Sequence, residues 1–153
     1  MLIAVSYFAG NVIAAEEKKK LICVDSLISL FKFMRRRMSV ERKPLFSIFC
    51  EFNDAYLESV GFLKTLRENK HTKTAWKSSI SFLDSDEETF MELKNFGNEL
   101  GELPLYEQLL RLESLTSFLE EKKKTLQKTL PPKQKSVKTV CLLSGTLLAI
   151  IML

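Results

Sequence analysis

From Val140 to Leu153 the chain carries no charged residue, and this run limits the possible folds more than any other feature. With residues 136–139 it makes about 18 residues, or roughly 27 Å of helix, close to the ~30 Å thickness of a bilayer's hydrocarbon. Lys138 stands at its edge, where a lysine stem reaches the headgroups. Gly145 between Ser144 and Thr146 gives a small-residue face suited to helix packing in lipid. The run therefore reads as a membrane helix over residues 136–153 rather than a buried core helix.

The other end is also apolar. Residues 1–15 read MLIAVSYFAGNVIAA, roughly 22 Å as a helix. A cleaved signal peptide is the rival reading, with Val12 and Ala14 as a cleavage pair. No Lys or Arg precedes the run, so the expected n-region is missing, and a membrane helix is favoured. Basic residues flank both runs on the inner side: Lys18, Lys19 and Lys20 after the first, and Lys122, Lys123, Lys124, Lys128, Lys133, Lys135 and Lys138 before the second. The positive-inside rule then places residues 16–135 in the cytoplasm. Nucleic-acid binding is the weaker reading of these lysines, because Glu16, Glu17, Glu120 and Glu121 interrupt them.

The middle of the chain reads as helical throughout. The chain has 5 Gly and 4 Pro in 153 residues, too few for a loop-rich β fold. Leu21, Val24, Ile28, Phe31 and Met38 recur at helical spacing, with Leu27 and Met34 widening the stripe. This helix ends near residue 38 with Arg35, Arg36 and Arg37, which complement its C-terminal dipole and also offer a partner-binding cluster.

Pro44 opens a second helix with the stripe Leu45, Phe49, Phe52 and Tyr56. Gly61 and the polar stretch from Arg67 to Thr74, with His71, predict a loop. Ala75, Trp76, Ile80 and Leu83 mark a third helix, with Trp76 as a core anchor. Ser85 and Glu88 have capping-box spacing at the start of a fourth. There Phe90, Leu93, Phe96 and Leu100 face inward, Gly97 permits close helix approach, and Gly101 fits the C′ position.

Pro104 opens a fifth helix. Its heptad seam is Leu105, Leu109, Leu112, Thr116, Leu119, Lys123, Leu126 and Leu130. The second half of this helix is expected to pair with the early helix around residues 18–38. Pro131 and Pro132 are expected to break or kink it. The fold expected is all-α: a helical bundle or hairpin domain flanked by N- and C-terminal transmembrane helices.

The sequence points to no catalytic constellation, cofactor or metal site. It has no glycine-rich phosphate loop and no G-x-S-x-G elbow. Cys23, Cys50 and Cys141 are too few and too scattered for a disulfide framework and read as reduced, buried thiols. The acids around Asp86 read as a solvated helix start rather than a metal cluster.

Several local words resemble one family. Pro44-Leu45 is similar to its proline-leucine at the start of the second helix, and Ala75-Trp76 to its alanine-tryptophan. Phe96-Gly97-Asn98-Glu99-Leu100-Gly101 followed by Gln108 resembles its F-G-x-x-L-G…Q pattern. Together these resemble the stage III sporulation protein AB family. The resemblance implies a structural, non-enzymatic membrane protein at the engulfed forespore, similar to the inner-membrane platform protein of type II secretion.

It also implies partners: the AA-type sporulation ATPase and other stage III channel proteins, with the membrane but no nucleic acid. Arg35, Arg36 and Arg37 are the expected ATPase contact. Pro104 stands where the family usually has an Asp. A generic membrane-anchored scaffold for another cytosolic partner is the alternative.

Overall fold

The chain's first and last long helices form the frame. In the computed structural model, which describes the backbone of residues 2–151 and the side chains of residues 12, 13 and 15–128, α1 spans Leu2–Arg36 and α7 spans Leu105–Ile151. Between them lie α2 (Leu45–Glu51), α3 (Ala55–Ser59), α4 (Phe62–Glu68), α5 (Thr72–Ser79) and α6 (Glu87–Glu99). A π-helical turn, Arg37–Glu41, ends α1, and a 3-10 turn, Ile80–Phe82, ends α5. Among the described residues there is no strand, and the fold is all-α.

α1 and α7 pack antiparallel. Salt bridges tie Asp25 to Lys123, Lys32 to Glu120 at 2.7 Å, and Arg35 to Glu113 at 3.2 Å, so numbers rise along one helix as they fall along the other. Val24, Leu27, Ile28, Phe31, Met34 and Met38 are buried as their spacing predicts, and Cys23 and Leu30 join them. The short helices cover the same stripe. Each is too short to hold itself in water, so packing onto α1 and one another stabilises them.

At the centre lies Trp76, fully buried. Its ring meets those of Phe31, Phe49, Phe62 and Phe96 at centroid distances of 6.0, 6.2, 5.5 and 5.3 Å. The contacts to Phe62 and Phe96 are edge-to-face, which suits the ring quadrupoles. Its indole N–H donates to the Leu93 carbonyl at 2.8 Å, so its polar atom is satisfied in the core.

The second predicted helix is instead two pieces, α2 and α3. Phe52 takes an extended conformation after α2, and Asp54 caps α3 by accepting from the Leu57 N–H at 2.9 Å. Arg67 explains why the break is stable. Its Nε donates to the Phe49 carbonyl at 3.0 Å and its Nη2 to the Phe52 carbonyl at 2.5 Å, while Nη1 pairs with Glu58 at 2.6 Å. These carbonyls sit at the end of α2, where intrahelical partners run out. Arg67 lies in α4, and only residues 69–71 separate α4 from α5, so the predicted loop is much shorter than expected. His71 is exposed in that loop, as expected.

Four further expectations are corrected. Ser85 does not cap α6. Asp86 does, accepting from the Thr89 N–H at 3.2 Å, because a carboxylate one residue later also reaches Lys122 at 2.5 Å. The heptad seam is shifted: Leu105 is exposed, and Gln108, Leu112, Leu115 and Leu119 form the buried line. The bundle at this end is wider than a two-helix coil, since α6 also packs on α7 through Arg111, which reaches Glu99 at 2.8 Å and Glu92 at 3.3 Å.

Pro131 and Pro132 do not end α7, which is continuous to Ile151. A proline's fixed φ is itself helical, so the helix can run on through the pair where the missing N–H is tolerated. Cys50 is exposed on α2, because the seven-residue helix turns only Ile48 and Phe49 inward.

Among the described residues no helix is long and apolar enough to cross a membrane. The two membrane readings, 1–15 and 136–153, fall on residues whose side chains lie outside those described, apart from 12, 13 and 15, which are exposed. Leu130 of the seam and Cys141 also lie outside the described side chains.

Candidate partner-docking site

The three arginines at the end of α1 have different fates. Arg35 reaches across to Glu113 on α7. Arg36 is exposed and makes no ion pair among the described residues. Arg37 is used within the fold. It pairs with Glu41 and with Glu51 at 3.6 Å, and its guanidinium lies 5.0 Å from the centroid of the Phe33 ring.

Lys43 completes the network, 2.9 Å from Glu41 and 2.6 Å from Glu51. Hydrogen bonds from Lys43 and then Arg37 hold the Glu41 carboxyl below its ordinary range. Hydrogen bonds to Glu51 and then Glu41 hold the Lys43 ammonium above its own. Two cations meet two carboxylates here, so this side of the cluster is balanced.

The open side is different. Lys32, Arg35, Arg36 and Ser39 of α1 and its turn face Tyr106, Leu109, Leu110 and Glu113 of α7 across a groove of about 550 Å³. Tyr106 is 73% exposed and Leu110 48%. An exposed apolar floor beside arginine is the composition of contact surfaces rather than of ordinary surface. A second groove, about 470 Å³ between α5 and α6, is lined by Lys73, Lys77, Lys94 and Asn98. It offers no exposed large apolar side chain, and Lys73 is paired with Glu102.

Sequence reasoning named the arginines but missed Tyr106 and the cross-hairpin partners. Tyr106 and Leu110 are four residues apart, off the buried line through Gln108 and Leu112, and that offset was the available signal. Among the described residues no group of His, Cys, Asp or Glu is arranged to hold a metal.

The remaining singled-out residues assemble elsewhere. Trp76, Phe96 and Leu100 are buried together in the core, and Gly97 lies directly against the Trp76 ring. Gly101 takes φ +80° at the end of α6, a conformation that favours glycine. Gln108 is buried, with its amide nitrogen unpartnered among the described residues. Pro44 precedes α2 in an extended conformation and accepts the first helical bond, from the Ile48 N–H at 3.2 Å. These residues shape the fold that presents the groove.

No curated protein and no solved structure matches this chain significantly. The sequence model of the stage III sporulation protein AB family matches residues 1–153, the whole chain. The words that form the core around Trp76, Phe96 and Gly97 therefore sit in a match from end to end, and this chain belongs to the stage III sporulation protein AB family.

Proposed function

We propose that this protein is a structural, non-enzymatic component of the channel complex at the engulfed forespore, anchored in the mother-cell membrane with residues 16–135 facing the cytoplasm. Its work is to couple the cytoplasmic AA-type ATPase, and with it other stage III proteins, to the membrane platform. Family membership supports the sporulation setting.

The observation that carries the anchored reading is the placement of the two charged flanks. Glu17 and Lys20 of α1 line one cavity with Lys122 and Leu126 of α7. Two antiparallel helices whose basic flanks meet direct both apolar segments toward the same side. The docking end, with Arg35 and Arg36, is then the end turned away from the bilayer.

Two measurements test this. Deleting the gene in the native host, with a plasmid copy as control, is expected to abolish heat-resistant spores while growth stays normal. Normal spore counts, with no duplicate gene, overturn the sporulation role and leave a membrane-anchored scaffold for another partner. Full-length protein carrying Arg35→Glu and Arg36→Glu is expected to lose co-purification with the ATPase at unchanged helicity. Arg37 is kept, since reversing it breaks the network with Glu41 and Glu51. Unchanged co-purification moves the ATPase contact elsewhere.

A further inference from the structure

We infer that the groove between α1 and α7 receives an acidic, amphipathic segment of a different protein. Its apolar side chains would seat on Tyr106 and Leu110, and a carboxylate would meet Arg36. The inference rests on the reading that this domain docks a cytoplasmic partner, and it adds the chemistry of the docking element.

The apolar half of the argument is exposure. The domain has a complete core around Trp76, yet Tyr106 and Leu110 stand 73% and 48% exposed at the same groove. Neither contributes to that core. Tyrosine and arginine are, with tryptophan, the residue types enriched where binding energy concentrates.

The charged half is imbalance. Lys32 and Arg35 are matched by Glu120 and Glu113, whereas Arg36 has no carboxylate among the described residues. The groove thus carries one cation more than its own acids satisfy. The pairs Lys32–Glu120 and Arg35–Glu113 are solvent-exposed on both sides, so an arriving carboxylate competes with them at little cost.

Two other occupants fit worse. A second copy docked about a two-fold axis sets this cationic rim against itself. Most acids around the start of α6 are already engaged: Asp86 and Glu88 hold Lys122, and Asp84 holds Tyr56. A lipid surface is also poorly placed, because Arg36 stands about 24 Å of helix beyond Lys20.

The test places a photo-crosslinking benzoylphenylalanine at position 106 of the full-length chain in sporulating cells, with adducts mapped by mass spectrometry. The expected result is an adduct on an acidic, apolar-containing segment of another protein, reduced at least tenfold by Arg36→Glu. An adduct only on a second copy of this chain, or only on lipid, overturns the inference.

The outcomes also separate this inference from the ATPase reading. An adduct on such a segment of the ATPase supports both. Such an adduct on another protein supports the groove and overturns the ATPase assignment. Co-purification of the ATPase without any adduct overturns the groove alone, and neither adduct nor co-purification overturns both. Tyr106→Ser with Leu110→Ser serves as the second variant. It removes exposed side chains, so the melting temperature should stay within about 2 °C while the partner is lost. Retained partner at equal yield counts against the groove.

Discussion

A Cβ placed on Gly97 would lie 2.3 Å from Cδ1 of Trp76. The ring cannot retreat: it is fully buried, enclosed by four phenylalanines and held by its bond to the Leu93 carbonyl. Gly97→Ala therefore overpacks the core and is expected to cost about 2–3 kcal/mol. Denaturant unfolding of the full-length chain checks it. A loss below 0.5 kcal/mol, on the order of surface changes, would mean that α6 shifts freely along α5.

Arg67 is the second pressure point. Its three nitrogens serve two main-chain carbonyls and the side chains of Glu58 and Asn53. Arg67→Ala removes the bonds that stabilise the turn between α2 and α3, with an expected loss of about 2 kcal/mol, typical of hydrogen bonds to a charged group. Arg67→Lys should recover little, since an ammonium cannot reproduce the planar fork. Hydrogen exchange is expected to speed up first at residues 49–57.

Asp86 separates capping from ion pairing. Asp86→Ala should cost about 1 kcal/mol for the lost cap, plus less than about 1 kcal/mol for the lost pair with Lys122. Asp86→Asn keeps a good cap and loses only the pair. Burial acts to raise the Asp86 carboxyl, but bonds from Lys122 and Thr89 outweigh it, and the group sits below its ordinary value of 3.8. For a carboxylate with a depressed folded value, the stabilisation is present above that ordinary value and disappears as pH falls through the folded one. The difference between wild type and Asp86→Asn is therefore expected to hold at neutral pH and to fade below about pH 4. A difference independent of pH would assign it to packing.

The two described cysteines should differ sharply in reactivity. Burial pushes the Cys23 thiol up to about 12, against a weaker opposing hydrogen bond with Tyr56. Cys50 is exposed. In a Cys141→Ser background at pH 8, a thiol reagent is expected to modify Cys50 in the native protein and Cys23 only on unfolding. The thiolate, not the thiol, is the reactive form. The linkage has a sign. An unfolded chain releases the Cys23 proton near 9 and the folded one near 12, so stability is full below the first value and falls toward the second. Rapid labelling of Cys23 under native conditions would show that α1 opens locally.

The sequence was legible where a residue's role is fixed by its immediate neighbours. The α1 stripe, the buried Trp76, the close approach at Gly97 and the turn at Gly101 follow from period and from glycine geometry. It was illegible where distant side chains decide. The break after Phe52 depends on Arg67, which is 15 residues away. The choice of Asp86 over Ser85 as cap depends on Lys122, contributed by α7. The arginine cluster looked uniform because adjacency hides which residue faces Phe33 and Glu51 and which faces solvent. The heptad count misplaced Leu105 because α7 packs against α6 as well as α1, which turns its buried line toward Gln108 and Leu115.

The antiparallel pairing of α1 with α7 also sets a schedule. The ribosome makes α1 first and its longest partner last, and 78 residues separate Arg35 from Glu113. At ~5–20 residues per second, α1 waits on the order of 4–16 s for that partner. During that interval Phe31 can be covered only by what has already emerged: first the α2–α5 segment with Phe49, Phe62 and Trp76, then Phe96 of α6. The aromatic cluster is therefore the part of the native core that can form around the early helix before the closing helix is made.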